Sequence, residues 1–155
     1  MTLMEQTEPS RALAESLLRS GWTLSLRVSG SSMKPLLRSG TVLRIAPSNA
    51  RPMVGDIAFF RTASGRFVAH RVLACDENRV WTKGDSSGQA DGPVEVSEVL
   101  GRVLGIEEPF FIPLTGGLAR HIGLVLNRYY PKLVQLKKTL RRFLPRAPQL
   151  EREGQ

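Results

Sequence analysis

From Trp22 to Glu107 the chain is a succession of short apolar runs, each bounded by Gly, Asp, Asn or Ser. Runs of this length and punctuation suit strands better than helices, which need a longer 3.6-residue repeat. In Trp22–Val28, Trp, Leu, Leu and Val alternate with Thr, Ser and Arg, the period of a half-buried strand. Val42–Ala46 predicts a second strand, and Arg51–Arg61 a turn at Gly55 and Asp56 followed by a third, with Asp56 bonded to backbone. Ser64–Gly65 marks a hairpin from which Phe67–Leu73 returns. Val80–Lys83 is a further short strand, and Val94–Glu107, broken at Gly101 and Gly105, is expected to close the sheet. The fold class that follows is mainly β, a small folded sheet or barrel.

Helices are expected only at the two ends. Thr7 or Ser10 can cap a short amphipathic helix with Leu13, Leu17 and Leu18 on one face, which Gly21 closes. Near the other end Leu133, Leu136, Leu140, Phe143 and Leu144 recur at helical spacing, with Lys132, Lys138, Arg141 and Arg142 opposite and Lys137 at the border. The predicted organisation is a helix over 1–21, a β domain over 22–108 and a basic helical tail over 109–155. Of the 22 Lys and Arg, eight fall between Arg120 and Arg146, where there is no Asp or Glu; the remaining basic residues balance the 14 acidic ones. Attraction to acidic partners therefore belongs to the tail. Two arrangements stay open for it: peripheral contact with an anionic membrane, or packing on the sheet with the charged face outward. Nucleic acid is not an expected partner, because aromatic residues do not interleave with the charges.

No run of eighteen apolar residues exists to span a bilayer, and the acidic start has no secretory h-region. A cytoplasmic location, peripheral at a membrane surface if the tail binds one, is the expectation. Cys75, the single cysteine, reads as packing.

Candidate chemistry sits at turns and strand ends. Val28–Pro35, Val-Ser-Gly-Ser-Ser-Met-Lys-Pro, runs from a strand into a small-residue turn in which Ser32 is the candidate nucleophile and the apolar Met33 plugs into the core. His70 shares a strand face with Val68 and Val72, so it points into core or pocket. The loop Gly84–Asp91 carries two carboxylates, Asp85 and Asp91, without the alternating ligands and terminal Glu of a calcium loop. A hydroxyl needs a base to become a nucleophile, an imidazole is such a base near neutral pH, and a carboxylate fixes its tautomer. The sequence supplies one of each, in the order Ser, His, Asp; no cofactor or metal is required.

Four segments together resemble the type I signal peptidases of the S24/S26 superfamily, in the archaeal and endoplasmic-reticulum branch that uses histidine as base. Gly-Ser-Ser-Met-Lys-Pro is similar to the nucleophile box, Val-Gly-Asp-Ile-Ala-Phe to the Gly-Asp-hydrophobic strand, Val-Ala-His-Arg-Val to the base segment, and Thr-Lys-Gly-Asp-Ser-Ser with Asp91 to the last box. The resemblance spans about Leu24 to Ile106. It implies a signal-peptidase-like sheet in which Ser32, His70 and Asp91 form the triad, with Asp85 in support. It further implies an extended peptide or leader substrate with small residues before the scissile bond. Gly30 and Ser31 would lie beside the oxyanion, and Leu26, Met33 and Phe67 are candidate pocket walls.

The chain departs from that family in three places. It has no transmembrane helix before the nucleophile box, so an export role would need a recruited partner. Ser86 and Ser87 stand where the branch has two asparagines. Gly30 occupies the position of a hydroxyl that helps the oxyanion hole in bacterial enzymes, leaving the work to the Ser32 N–H with Ser29 or Ser31. Two alternatives remain at this stage. One is a non-catalytic peptide-binding or scaffold module. The other is a self-cleaving repressor with a Ser/Lys dyad, for which Lys83 would be the base; the Ala-Gly and Cys-Gly cleavage dipeptides of such repressors occur nowhere in the sequence.

Overall fold

The short apolar runs form nine strands in a computed structural model that describes residues 2–3, 8–48 and 51–143. In chain order the elements are β1 (Thr2–Leu3), α1 (Glu8–Arg19), β2 (Leu24–Ser29), β3 (Val42–Pro47), β4 (Ile57–Arg61), β5 (Phe67–Cys75), β6 (Arg79–Lys83) and β7 (Pro93–Glu95). A 3-10 turn at Val96–Glu98 then leads to β8 (Val99–Ile106), β9 (Ile112–Pro113) and α2 (Gly117–Phe143). Every strand pairs antiparallel with its neighbours, in the order β1-β2-β3-β8-β4-β5-β6-β7, with β9 alongside β8. The sheet is curled: Thr2 lies opposite both Ser29 of β2 and Val68 of β5, so β1 bridges two strands far apart in the sheet order.

Strand β4 shows why the curl is stable. Its run Ile-Ala-Phe-Phe is apolar on both faces, and both faces are covered. Ile57 and Phe59 join Val28, Met33, Leu37, Leu43, Ile45, Ala69, Leu100 and Val103 in the main core. Ala58 and Phe60 turn the other way, onto Val68, Val72, Val80 and Val99. Because side chains alternate along a strand, β5 likewise sends Phe67 and Ala69 to the first cluster and Val68 and Val72 to the second. Cys75 packs at the edge of the second cluster.

Several boundaries differ from the sequence expectation. Trp22 is 65% exposed and precedes β2, because the main core is already filled from Leu24 onward. Helix α1 buries Ala14 and Leu18 instead of a Leu13–Leu17–Leu18 face; Leu13 is 60% exposed. Ser10 lies inside that helix, and the proposed cap at Thr7 falls outside the described residues. The C-terminal end matches expectation: the Gly21 and Trp22 amides donate to the Leu18 and Leu17 carbonyls. Val94–Glu107 is not one closing strand. It divides into β7 and β8, and β8 lies between β3 and β4 with Val99, Leu100 and Val103 buried, as an edge strand could not be.

The tail packs by an unexpected face. Helix α2 turns Gly123, Asn127 and Pro131 inward, and Leu133 and Leu136 outward. The polar groups of β5 and β6 described below need hydrogen-bonding partners, which leucines could not supply. The side chains of Leu140 and Phe143, and all of Leu144, lie outside the described residues.

Phe59 is fully buried and stacks obliquely on Phe67, with ring centroids 5.6 Å apart. Phe59→Ala is expected to cost about 3–5 kcal/mol of unfolding free energy in a urea titration. Leu13→Ala, on the exposed side of α1, should stay within about 0.5 kcal/mol.

Candidate active site

Strand β5 places His70 and Arg71 on opposite faces, and the loop from Gly84 to Asp91 grips both. The loop leaves β6 after Lys83 and is closed where the Asp91 N–H donates to the Thr82 carbonyl, 2.8 Å. Its two carboxylates therefore arrive on different sides of β5. Asp85 takes Arg71 in a two-pronged pair, Nε to Oδ1 at 2.8 Å and Nη2 to Oδ2 at 2.7 Å. Asp91 takes the ring of His70, Nδ1 to Oδ2 at 2.6 Å.

On its other nitrogen His70 meets the serine turn: Ser32 Oγ is 2.9 Å from Nε2. An ionised carboxylate can only accept, so Nδ1 carries the proton, Nε2 presents its lone pair, and the Ser32 hydroxyl donates to it. Burial by itself would push the Asp91 carboxyl up. The hydrogen bond from His70, its charge once the ring is protonated in acid, and the Thr82 hydroxyl, which donates at 2.8 Å, more than offset this and hold it below the usual carboxylate range. The acid is thus ionised at neutral pH. Phe60 sets its ring edge-on to His70 at 6.3 Å, so the imidazole is held by packing as well as by hydrogen bonds.

Ser32 is fixed from behind by the same loop. The Ser86 N–H donates to the Ser32 carbonyl at 2.8 Å, and the Ser86 hydroxyl donates to the Ser31 carbonyl at 2.7 Å. Ser86 thus ties the loop to the turn that carries Ser32. Gly84 is required by this closeness: a Cβ there would stand 2.7 Å from the Ser32 carbonyl oxygen and 2.9 Å from the Ser32 Cβ. Gly30 has φ of 99°, a backbone region that favours glycine, at the point where the chain leaves β2 for the turn.

The pocket walls need correction. Met33 and Phe67 are buried in the main core, so these two side chains support the turn and β5 without lining an open surface, while the half-buried Leu26 packs against that core. Gly30 and Ser31 are exposed beside Ser32. A cleft of about 730 Å³ lies beside His70 and Asp91, with Phe60, Val68 and Val94 as its apolar lining and the 62–66 hairpin at its margin.

Three residues that sequence reasoning did not single out complete the site from below. Arg71 is 1% exposed and donates a third bond, Nη1 to the Gly55 carbonyl at 2.8 Å. Asn127 of α2 donates to Asp85 Oδ1 at 3.0 Å and to the Lys83 carbonyl at 3.2 Å. Arg120, also on α2, donates to the buried Asp56 at 2.6 Å; Asp56 in turn accepts from the Met53 backbone, as expected. Two charges out of water are costly unless every donor and acceptor is met, and here α2 supplies the missing donor. Pro131 has a part in this as well. Lacking an N–H, it cannot bond the Asn127 carbonyl one turn back, and that oxygen instead accepts from Lys83 Nζ at 3.0 Å. Lys83, the base of the Ser/Lys alternative, is committed to the helix. The only sequence signal for these contacts was the pairing of a proline inside a helical repeat with an asparagine four residues earlier.

Gly84→Ala is expected to displace the Ser32 backbone while leaving the core intact. A misplacement of about 1 Å lowers turnover by about a hundredfold, so any Ser32-dependent hydrolysis should fall that far with thermal unfolding still cooperative. Unchanged turnover would show that the loop does not position the serine.

Comparison with known proteins adds one match. A family model described as Peptidase S24-like covers residues 1–104, a span that includes Ser32, His70 and Asp91 and ends before α2. No curated protein and no solved structure matches the chain. A match over two thirds of the sequence, on a curled antiparallel sheet carrying a serine, an imidazole and a carboxylate in line, makes the chain a member of the Peptidase S24-like family.

Proposed function

We propose that the chain is a serine endopeptidase in which Ser32 is the nucleophile, His70 the general base and Asp91 the residue that orients the imidazole. The observation that carries this reading is the continuous hydrogen-bond line from Ser32 Oγ through both ring nitrogens of His70 to Asp91. In the first step Ser32 Oγ attacks a peptide carbonyl carbon while Nε2 accepts the hydroxyl proton. The proton passes to the departing amine as the C–N bond breaks, and water then cleaves the acyl ester by the same route in reverse. Asp85 touches neither reacting atom; it holds Arg71 and the loop.

Within the family this favours the histidine-using, signal-peptidase-like reading over the self-cleaving repressor. A Ser/Lys dyad needs a lysine at the serine hydroxyl, but the hydroxyl here is bonded to an imidazole and Lys83 is bonded to Asn127. A peptide-binding module without chemistry would have no need of the aligned Asp91.

The substrate on this reading is an extended peptide or leader that adds a strand beside β2 and β5. The sheet already holds such a strand: the backbone of β1 lies between Ser29, three residues before the nucleophile, and Val68, two before the base. Its direction carries Leu3 to Val28, away from Ser32, so β1 occupies the slot without presenting the Thr2–Leu3 bond for cleavage. Substrate backbone would displace it.

Two measurements test the proposal. Ser32→Ala should abolish hydrolysis of a peptide library, and His70→Ala or Asp91→Asn should lower kcat by about 10²–10⁴-fold; a Ser32→Ala protein as active as the parent would overturn it. Thr2→Pro with Leu3→Pro removes the β1 backbone donors and should raise kcat/KM by freeing the slot, whereas a fall would mean that β1 is part of the working site.

A further inference from the structure

We propose that α2 lies on an anionic membrane surface, with its outward apolar stripe in the headgroup boundary and the peptidase sheet on the aqueous side. A helix packed on a globular domain normally turns its apolar stripe to the core. Here the arrangement is reversed. The inward face is Arg120, Gly123, Asn127 and Pro131, spaced three or four residues apart and occupied with Asp56, Arg71, Asp85 and Lys83. Gly123 leaves no room for a side chain against the Arg71 guanidinium, so the register of this face is fixed.

Half a turn round the helix, Leu118, Ile122, Val125, Tyr129, Leu133 and Leu136 recur at the same spacing, and all six are between 44% and 76% exposed. At 1.5 Å per residue the stripe runs for about 27 Å. A continuous exposed apolar band on a soluble surface marks a contact site.

Charge selects the occupant. Helix α2 carries seven Lys and Arg and no carboxylate. Arg128 and Lys132 stand on one side of the stripe and Lys137 on the other, all exposed, where long cationic side chains can reach headgroup phosphates while their stems lie along the apolar band. The pattern repels a second copy of itself, since two such helices would meet with like charges and no carboxylate to pair them. It also fits lying flat better than crossing, because no helix among the described residues is long and apolar enough to span a bilayer. The stripe lies beyond residue 104, outside the span of the family match. The consequence is that peptides presented at a membrane surface would reach Ser32 preferentially, but the surface contact itself does not depend on the peptidase reading.

The full chain should co-sediment with vesicles containing phosphatidylglycerol, bind phosphatidylcholine vesicles at least tenfold less, and lose binding as salt is raised. Val125→Gln with Leu133→Gln, on the exposed stripe, should weaken binding at least tenfold with unchanged circular dichroism. Ile122→Gln with Tyr129→Gln gives a second stripe variant if the first misfolds, and Lys132→Gln with Lys137→Gln should weaken binding and reduce its salt dependence. Absence of binding, equal binding to neutral vesicles, or binding indifferent to the stripe variants would overturn the proposal. So would a concentration-dependent dimer in sedimentation velocity that the stripe variants dissolve, which would assign the face to a second copy.

Discussion

The geometry rests on two neighbouring residues of β5 held from opposite sides. His70 and Arg71 point to different faces because side chains alternate along a strand, and one loop supplies a carboxylate to each. The Arg71–Asp85 pair is buried, and removing one partner of such a pair costs about 3–5 kcal/mol because the other is left charged and unmet. That penalty fixes the loop, and the fixed loop puts Asp91 on His70 and Ser86 behind Ser32. The position of the Ser32 hydroxyl thus rests on a structural ion pair that does not touch it.

The site was legible in the sequence to the extent that its chemistry was local. Ser32, His70 and Asp91 could be chosen because each stood at a turn or on an apolar strand face with complementary acid–base character, and the structure brings them within hydrogen-bond distance. Asp85 could be assigned a supporting place, but its partner could not be named: Arg71 looked like any arginine after a histidine. Burial of a guanidinium depends on what lies across the sheet, and here that is Gly123, fifty-two residues away. The strands from Val42 to Lys83 were readable as short apolar runs bounded by turn residues. The division of Val94–Glu107 into β7 and β8 was not, because a central strand and an edge strand share the same apolar run until their neighbours are known.

The two helices show the limit of periodicity more sharply. Both have an apolar stripe at 3.6-residue spacing, yet α1 buries only part of its stripe and α2 exposes its own. Periodicity reports that a face exists; which face turns inward is decided by the polar groups that the sheet leaves to be satisfied. Asp85, the Lys83 carbonyl and Lys83 Nζ all find partners on Asn127, and Asp56 on Arg120. Completing those bonds outweighs burying the leucines of the stripe.

The central claim is that one hydroxyl among Ser29, Ser31 and Ser32 is activated by His70. The most direct test is to treat the full chain with a peptidyl fluorophosphonate and locate the adduct by mass spectrometry of the peptide containing residues 28–34. A single adduct on Ser32, absent from the His70→Ala protein, is the expected result. An adduct on Ser29 or Ser31, or equal labelling without His70, would contradict the account.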